Sequence, residues 1–121
     1  MHLQESGEMY LETIFVLSER SKNVRSIDVC EEMGFSKQSV SRAMSILRNA
    51  GYVTMDDQGF LHLTESGYEV ASKTYERHKV LTQCFVALGV PKEIAEEDAC
   101  KIEHDISDET FSAIKRHMGV E

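Results

Sequence analysis

The sequence predicts a mainly α-helical fold with one small β-hairpin near its middle. Apolar residues recur at helical spacing along most of the 121 residues and alternate only between Tyr52 and Leu63. Gly34, Gly51 and the one proline, Pro91, fall between the periodic segments and mark their ends. A hydrophobic fraction of 41% is sufficient for a core without disulfide bonds.

Two amphipathic helices are predicted at the start of the chain. The first covers Glu8–Leu17, where the apolar residues fall on one face, and residues 18–22 close it. A short extended stretch over 24–26 follows. Ser26 is then expected to be the N-cap of a second helix that continues through Glu32.

A third helix is predicted over Lys37–Asn49. Gly34 permits a tight turn before it, and Ser36 is placed to cap its first turn. Four apolar side chains form one stripe at positions i, i+3, i+4 and i+7, namely Val40, Ala43, Met44 and Leu47. This stripe is expected to face the core, so the polar side of the helix faces outward.

A β-hairpin follows the third helix, because the apolar period changes there from about four residues to two. Its strands are predicted at Tyr52–Met55 and Phe60–Leu63, on either side of the turn-forming run 56–59. Thr64 is expected to cap a long helix that ends at about Leu88.

Two shorter helices complete the chain. Pro91 is expected to start a helix that continues through about Glu103 or His104, and Ser107 to cap a last helix over 108–118. Helix, helix, turn, helix and hairpin is the order of a winged helix-turn-helix, whose second motif helix enters the DNA major groove. We therefore predict a winged helix-turn-helix domain at residues 1–72 and a helical region at 73–121.

The charge distribution supports a nucleic-acid surface on the third helix. The net charge of −8 argues against nucleic acid, but no acidic residue occurs between Met33 and Met55. Gln pairs with adenine, Arg with guanine, and Ser hydroxyls and helix N-terminal amides suit phosphates. The candidate DNA contacts are Ser36, Lys37, Gln38, Ser39, Ser41 and Arg42. A solvated face that touches only protein is the alternative.

The wing tip is not expected to press into DNA. Asp56 and Asp57 lie at this tip, and phosphates repel both carboxylates.

A candidate metal site lies in the helix that follows Pro91. Cys100, Glu103 and His104 stand at i, i+3 and i+4, so a thiolate, a carboxylate and an imidazole share one helix face. Together these groups can hold a first-row divalent metal, with His78 as a candidate fourth ligand. The alternative is that Cys100 is a small core residue and the other two are a solvated pair.

Four separated segments resemble the diphtheria-toxin-repressor family of iron- and manganese-dependent regulators. They are residues 8–14, residues 63–67, the pair Arg77-His78, and residues 97–104 with their continuation at 107–109. The Cys-x-x-Glu-His block at 100–104 is the most specific of these. The resemblance implies a homodimer that binds an operator in double-stranded DNA and represses metal-uptake genes. It also implies metal ligands at Met9, Glu12, His78, Cys100, Glu103 and His104.

The ligand set implied by the resemblance is a hybrid. Met9 and Cys100 match iron-type members, whereas Glu12 matches manganese-type members. Sulfur ligands favour softer ions, so Fe(II) is expected first and Mn(II) next, with Zn(II), Co(II) or Ni(II) possible in vitro. Thr82 and Glu96 replace a carboxylate and a histidine of the family's ancillary site, and these 121 residues include no SH3-like domain.

Other functional classes are less favoured by the sequence. Three cysteines without a CxxC pair predict a reducing, cytoplasmic location, and no signal peptide or membrane span is expected. An enzyme built around Cys100 and His104 is disfavoured, because there is no second catalytic pair or phosphate-binding glycine loop. No small organic substrate is therefore expected. A winged-helix regulator that binds DNA without metal remains the main alternative.

Overall fold

The computed structural model describes residues 5–21 and 23–120, which form two compact units divided between Ser72 and Lys73. Lys22, assigned above to the segment that closes the first helix, and residues 1–4 lie outside the described residues. In chain order the described elements are α1 (Glu5–Arg20), α2 (Ser26–Met33), α3 (Lys37–Asn49), β1 (Val53–Met55), β2 (Leu61–Leu63), α4 (Glu65–Ala87), α5 (Lys92–Ile102) and α6 (Asp108–Met118). This confirms the mainly α fold with a small β wing.

The first unit packs α1, α2, α3 and the hairpin around one apolar core. Its most deeply buried side chains come from all of these elements and include Leu11, Ile14, Val29, Val40, Met44, Leu47, Val53 and Leu61. The predicted stripe of α3 faces this core, with Ala43 half-buried at its edge. The core therefore fixes which face of α3 points outward.

The two strands form an antiparallel hairpin in the register Val53↔Leu63, Thr54↔His62 and Met55↔Leu61. The extended stretch that precedes α2 packs beside it, because the Leu61 amide donates a hydrogen bond of 2.7 Å to the Val24 carbonyl. This bond ties the start of the helix-turn-helix to the wing.

The sequence predicted the N-cap of α3 correctly but not that of α2. Ser36 caps α3 as expected, since its Oγ accepts a hydrogen bond of 3.1 Å from the Ser39 amide. The prediction of Ser26 as the N-cap of α2 is wrong, because Arg25 holds that position in an extended conformation. The Arg25 amide donates to the Asp28 carboxylate at 2.8 Å, and a charged acceptor makes a stronger bond than a serine hydroxyl.

Close packing explains the glycine at the start of α4. A Cβ built on Gly67 would lie 2.0 Å from the Tyr52 carbonyl oxygen, which is far below van der Waals contact. The Thr64 amide donates to the same oxygen at 3.1 Å, and the Thr64 hydroxyl accepts from the Gly67 amide at 3.1 Å. The first turn of α4 is therefore fitted against the residue that enters β1.

The second unit contains the later part of α4 together with α5 and α6. Pro91 is the N-cap of α5 and not its first helical residue, since its ψ of 142° is extended. The helix ends at Ile102, one or two residues before the predicted end. Glu103 nevertheless keeps helical angles, and its amide donates to the Ala99 carbonyl at 2.9 Å. The side chain of Glu103 thus continues the face of α5. Ser107 caps α6 as predicted, accepting from the Thr110 amide at 3.1 Å.

No helix among the residues that the structure describes is both long and apolar enough to span a membrane.

Candidate metal centre and DNA-binding surface

The outward face of α3 is polar and cationic. Its predicted DNA contacts are all exposed, namely Ser36, Lys37, Gln38, Ser39, Ser41 and Arg42. The Ser36 hydroxyl is already committed to the helix start, because it contacts both the amide and the hydroxyl of Ser39. Ser36 therefore serves to fix the first turn of α3, and the Ser39 hydroxyl is engaged with it. The remaining exposed candidates are Lys37, Gln38, Ser41 and Arg42.

A groove runs between the second half of α3 and strand β1. It is lined by Ser45, Arg48, Asn49, Val53, Thr54 and Met55. Arg48 and Asn49 are exposed, and the lining contains no acidic side chain. Arg48 lies outside the apolar stripe of α3, but nothing in the sequence indicated that β1 would form the other wall of a groove. The cationic surface thus extends from α3 toward the wing.

The carboxylate of Asp56 is used inside the wing. One of its oxygens accepts from the amides of Gln58 and Phe60 at 2.9 and 3.0 Å, and the other lies 3.0 Å from His62 Nε2. The hydrogen bond from His62, followed by that from Phe60, lowers the pKa of Asp56 below its ordinary value. Asp56 therefore organises the turn, whereas Asp57 is simply an exposed charge at the tip.

In the first unit, the two ligands implied for α1 are half-buried and lie three residues apart on one side of the helix. Tyr10, Leu11 and Ile14 fill the core from the neighbouring positions. Met9 does not belong to the core cluster formed by the described residues, which argues against a role as core filler. Glu12 is likewise only half-buried, so α1 presents a thioether and a carboxylate at i and i+3.

In the second unit, two predicted ligands, His78 and His104, lie close to the buried carboxylate of a third, Glu103. The Glu103 side chain is completely buried, and His78 Nδ1 lies 3.4 Å from its Oε2. His104 Nε2 lies 3.5 Å from Oε1, and the His104 side chain is only 1% exposed. The turn after α5 and the middle of α4 thus bring His78, Glu103 and His104 together, although Glu103 and His78 are 25 residues apart.

The chemistry of this cluster fits a divalent metal. Neither Glu103 oxygen accepts a hydrogen bond from the described residues, and a buried carboxylate without a compensating partner costs several kcal/mol. Two ligand atoms at about 2.1 Å from one ion lie roughly 3.0–3.4 Å apart for angles between octahedral and tetrahedral. The nitrogen–oxygen distances of 3.4 and 3.5 Å are close to that range. A cation between these groups would compensate the buried charge.

Cys100 and the two altered ancillary positions are placed differently. Cys100 is half-buried on α5, one helical turn before Glu103. The Thr82 hydroxyl donates to the His78 carbonyl at 2.7 Å and is thereby engaged with its own helix. Glu96 is exposed and lies 4.0 Å from Lys92. Thr82 and Glu96 are therefore engaged in local contacts, and neither is gathered with the buried cluster.

One buried cation beside the cluster was not predicted from the sequence. The Arg77 guanidinium donates to the carbonyls of Glu103 and Ile106 at 3.1 and 2.6 Å and pairs with the Asp108 carboxylate. The pattern Arg77-His78 was noticed as part of a resemblance, but nothing in the sequence distinguishes a buried arginine from a solvated one. Arg77 fixes the segment that carries two of the candidate ligands.

Two family models together match nearly the whole chain. Residues 2–61 match the domain described as iron dependent repressor, N-terminal DNA binding domain. Residues 64–120 match the iron dependent repressor, metal binding and dimerisation domain. A solved manganese-dependent transcriptional repressor in complex with manganese is similar in structure, with a TM-score of 0.87 and 26% identity. The match covers 95% of this chain and 53% of that one, so the chain spans about half the length of this solved relative.

Two curated relatives match almost the whole chain. An HTH-type transcriptional regulator of Methanocaldococcus jannaschii is 30% identical over 118 residues, covering 96% of this chain and 94% of the relative. The transcriptional regulator MntR of Escherichia coli O157:H7 is 31% identical over 114 residues, covering 94% of this chain and 74% of the relative. The chain therefore belongs to the diphtheria-toxin-repressor family of iron- and manganese-dependent transcriptional regulators.

Proposed function

We propose that this protein is a homodimeric repressor that binds an operator in double-stranded DNA when a divalent transition metal is bound. The observation that carries the proposal is the buried Glu103 carboxylate, which two imidazoles flank and no hydrogen bond from the described residues satisfies. The exposed, acid-free face of α3 supports the DNA-binding half of the proposal.

The residues proposed as metal ligands are Met9, Glu12, His78, Cys100, Glu103 and His104. A bound divalent cation supplies positive charge and a fixed coordination geometry. Glu103 and the two imidazoles would supply the buried ligands of the second unit, and Met9 and Glu12 are the ligands proposed on α1. Because α1 packs in the core that also orients α3, a constraint on α1 is passed to the DNA-binding helix.

The activation is a population shift between arrangements of the protein. The metal favours the DNA-competent arrangement only to the extent that it binds this arrangement more tightly than others. In a dimer, two α3 helices can then meet half-sites about one turn of DNA apart. The residues proposed to contact bases and phosphates are Lys37, Gln38, Ser39, Ser41 and Arg42, with Ser36 fixing the first turn of their helix.

Fe(II) is proposed as the preferred ion, with Mn(II) next. A thioether at Met9 and a thiolate at Cys100 are softer ligands than carboxylates and favour Fe(II), Zn(II), Co(II) or Ni(II) over Mn(II). We further propose regulated genes for metal uptake, a cytoplasmic location, and no catalytic activity or small organic substrate. The side chains of Glu103 and His104 are nearly inaccessible to solvent. They are therefore better placed to hold an ion than to act on a substrate.

The first experiment is DNA binding under anaerobic conditions. Duplexes are selected from a random pool in the presence of Fe(II), and their affinity is then measured by fluorescence anisotropy in chelator and in titrations of Fe(II), Mn(II) and Zn(II). Metal is expected to tighten binding by about tenfold or more, a coupling of ~1.4 kcal/mol. Glu103→Ala is expected to lose this effect, whereas Glu96→Ala, an exposed carboxylate of α5, is expected to keep it.

Each contrary result would point to a different error. Equally tight binding in chelator and in metal would identify a metal-independent winged-helix regulator. Metal binding without any selected DNA would instead contradict the role of α3.

A further inference from the structure

We propose that Arg77 is a positioning residue for the metal centre, and that it sets metal affinity by fixing the backbone on which Glu103 and His104 stand. The inference rests on the proposed metal centre. It assigns to Arg77 a role that none of the candidate ligands can perform, since its guanidinium carries a positive charge and cannot itself bind a cation.

Arg77 contacts the segment between α5 and α6 and the first turn of α6. Its Nη1 donates to the carbonyl oxygens of Glu103 and Ile106 at 3.1 and 2.6 Å. Its Nη2 donates to the carboxylate of Asp108, the first residue of α6. The guanidinium also lies over the Phe111 ring, 5.4 Å from its centroid. One side chain thus joins both ends of a turn that has no regular secondary structure.

This turn needs an external support. Helix α5 ends at Ile102, although the Glu103 amide still donates to the Ala99 carbonyl. Beyond the end of the helix, the carbonyls of Glu103 and Ile106 accept hydrogen bonds from the Arg77 side chain. The Arg77 side chain is 9% exposed, and its guanidinium donates to two backbone carbonyls and one carboxylate. Because Arg77 is buried, water competes weakly for its hydrogen bonds to the two carbonyls, whereas the Asp108 carboxylate is 72% exposed.

Arg77 is adjacent in sequence to His78, which places the support and a ligand on the same turn of α4. A shift of the Arg77 side chain would therefore change the separation between His78 and Glu103. Partners that orient metal ligands without touching the ion typically change metal affinity by about 10- to 100-fold when they are replaced. We expect an effect of that size here.

The test uses the full chain and Co(II) as the probe, because its visible absorption reports ligand geometry. The variants are Arg77→Lys, which keeps the charge but not the planar fork, and Asp108→Asn, which keeps an acceptor at the start of α6. Lys73→Ala is the matched control, since the largely exposed Lys73 also lies 3.0 Å from the Asp108 carboxylate. Dissociation constants are measured by competition with a chelator, and thermal unfolding is measured in the metal-free state.

The expected result is a Co(II) affinity at least about tenfold lower in Arg77→Lys and Asp108→Asn, with altered visible bands. Lys73→Ala should bind Co(II) like the wild type. An affinity within about twofold of wild type and an unchanged spectrum in folded Arg77→Lys would overturn the inference and leave the metal centre intact. If wild-type protein bound no Co(II), the proposed metal centre itself would fall, and the role of Arg77 with it.

Discussion

His78 Nδ1 lies 3.4 Å from Oε2 of the fully buried Glu103, and these two residues come from different helical segments of the second unit. The distance is long for a hydrogen bond between an imidazole and a carboxylate, which is ordinarily about 2.7–2.9 Å. It is instead near the separation of two ligands on one ion. A divalent cation held between them would compensate the charge of the buried carboxylate.

Replacement of Glu103 by glutamine is predicted to abolish stabilisation by metal without lowering the stability of the metal-free protein. Glu103→Gln keeps the shape of the side chain but removes a buried charge that accepts no hydrogen bond from the described residues. Metal-free protein should unfold at the same or a higher temperature than wild type, while the stabilisation by added metal should disappear. Thermal unfolding with chelator and with Co(II) measures both effects.

The control for this prediction is Glu96→Gln, which removes the same charge from an exposed position on α5. It should respond to metal like the wild type. A Glu103→Gln protein that is still stabilised by metal would show that the ion binds elsewhere.

Metal preference is predicted to depend on the thiol of Cys100. Cys100→Glu substitutes a hard oxygen ligand for a soft sulfur one and should lower the ratio of Fe(II) to Mn(II) affinity by about tenfold. Anaerobic competition with a metal-sensitive chelator measures the two affinities. Cys84→Ser is the control, because Cys84 is another partly buried cysteine, on α4. An unchanged ratio in Cys100→Glu would exclude Cys100 from the coordination sphere.

Substitutions of two residues on the predicted DNA surface are expected to weaken DNA binding in different ways. Gln38→Ala should cost about 1–3 kcal/mol on the preferred sequence and relax the preference for one base pair. Arg48→Ala, in the groove beside β1, should weaken binding to all sequences and reduce the salt dependence by about one unit of slope. Anisotropy titrations at several salt concentrations distinguish these outcomes. Arg20→Ala is the control, because it removes a cation of α1 that pairs with Glu32 of α2. It should change neither the base preference nor the salt dependence.

The fold could be predicted from the sequence wherever local chemistry decides it. The stripe of α3 and the caps at Ser36 and Ser107 follow from spacing and residue type alone. The true cap of α2 could not be predicted as readily, because Arg25 donates its backbone amide to Asp28 and its side chain gives no signal. The cluster was only partly predictable. Helical spacing joins Cys100 to Glu103, but the arrival of His78 and the burial of Arg77 depend on tertiary packing.

The first turn of α4 is predicted to tolerate no side chain at Gly67. Gly67→Ala would place a Cβ 2.0 Å from the Tyr52 carbonyl oxygen, so the helix or the strand entrance must move. We expect a loss of about 1–3 kcal/mol in the free energy of unfolding, measured by urea denaturation. Ser66→Ala, at the exposed neighbouring position, should change stability by less than about 0.5 kcal/mol. Equal stabilities for the two variants would show that the close approach is absent in solution.

The wing is predicted to lose stability in acid through Asp56. The hydrogen bond from His62 and the amide of Phe60 lower the pKa of this carboxyl from its ordinary 3.8. A carboxyl with a lowered pKa in the folded state stabilises the protein above its unfolded-state pKa, and this stabilisation is lost as the pH falls through the folded-state value. Asp56→Ala should therefore be less stable than wild type near neutral pH, and the difference should shrink below about pH 4. Urea denaturation between pH 2.5 and 7 measures this difference, with Asp57→Ala as the control for loss of a charge at the tip. A difference that stays constant across this range would mean that the Asp56 charge does not support the turn.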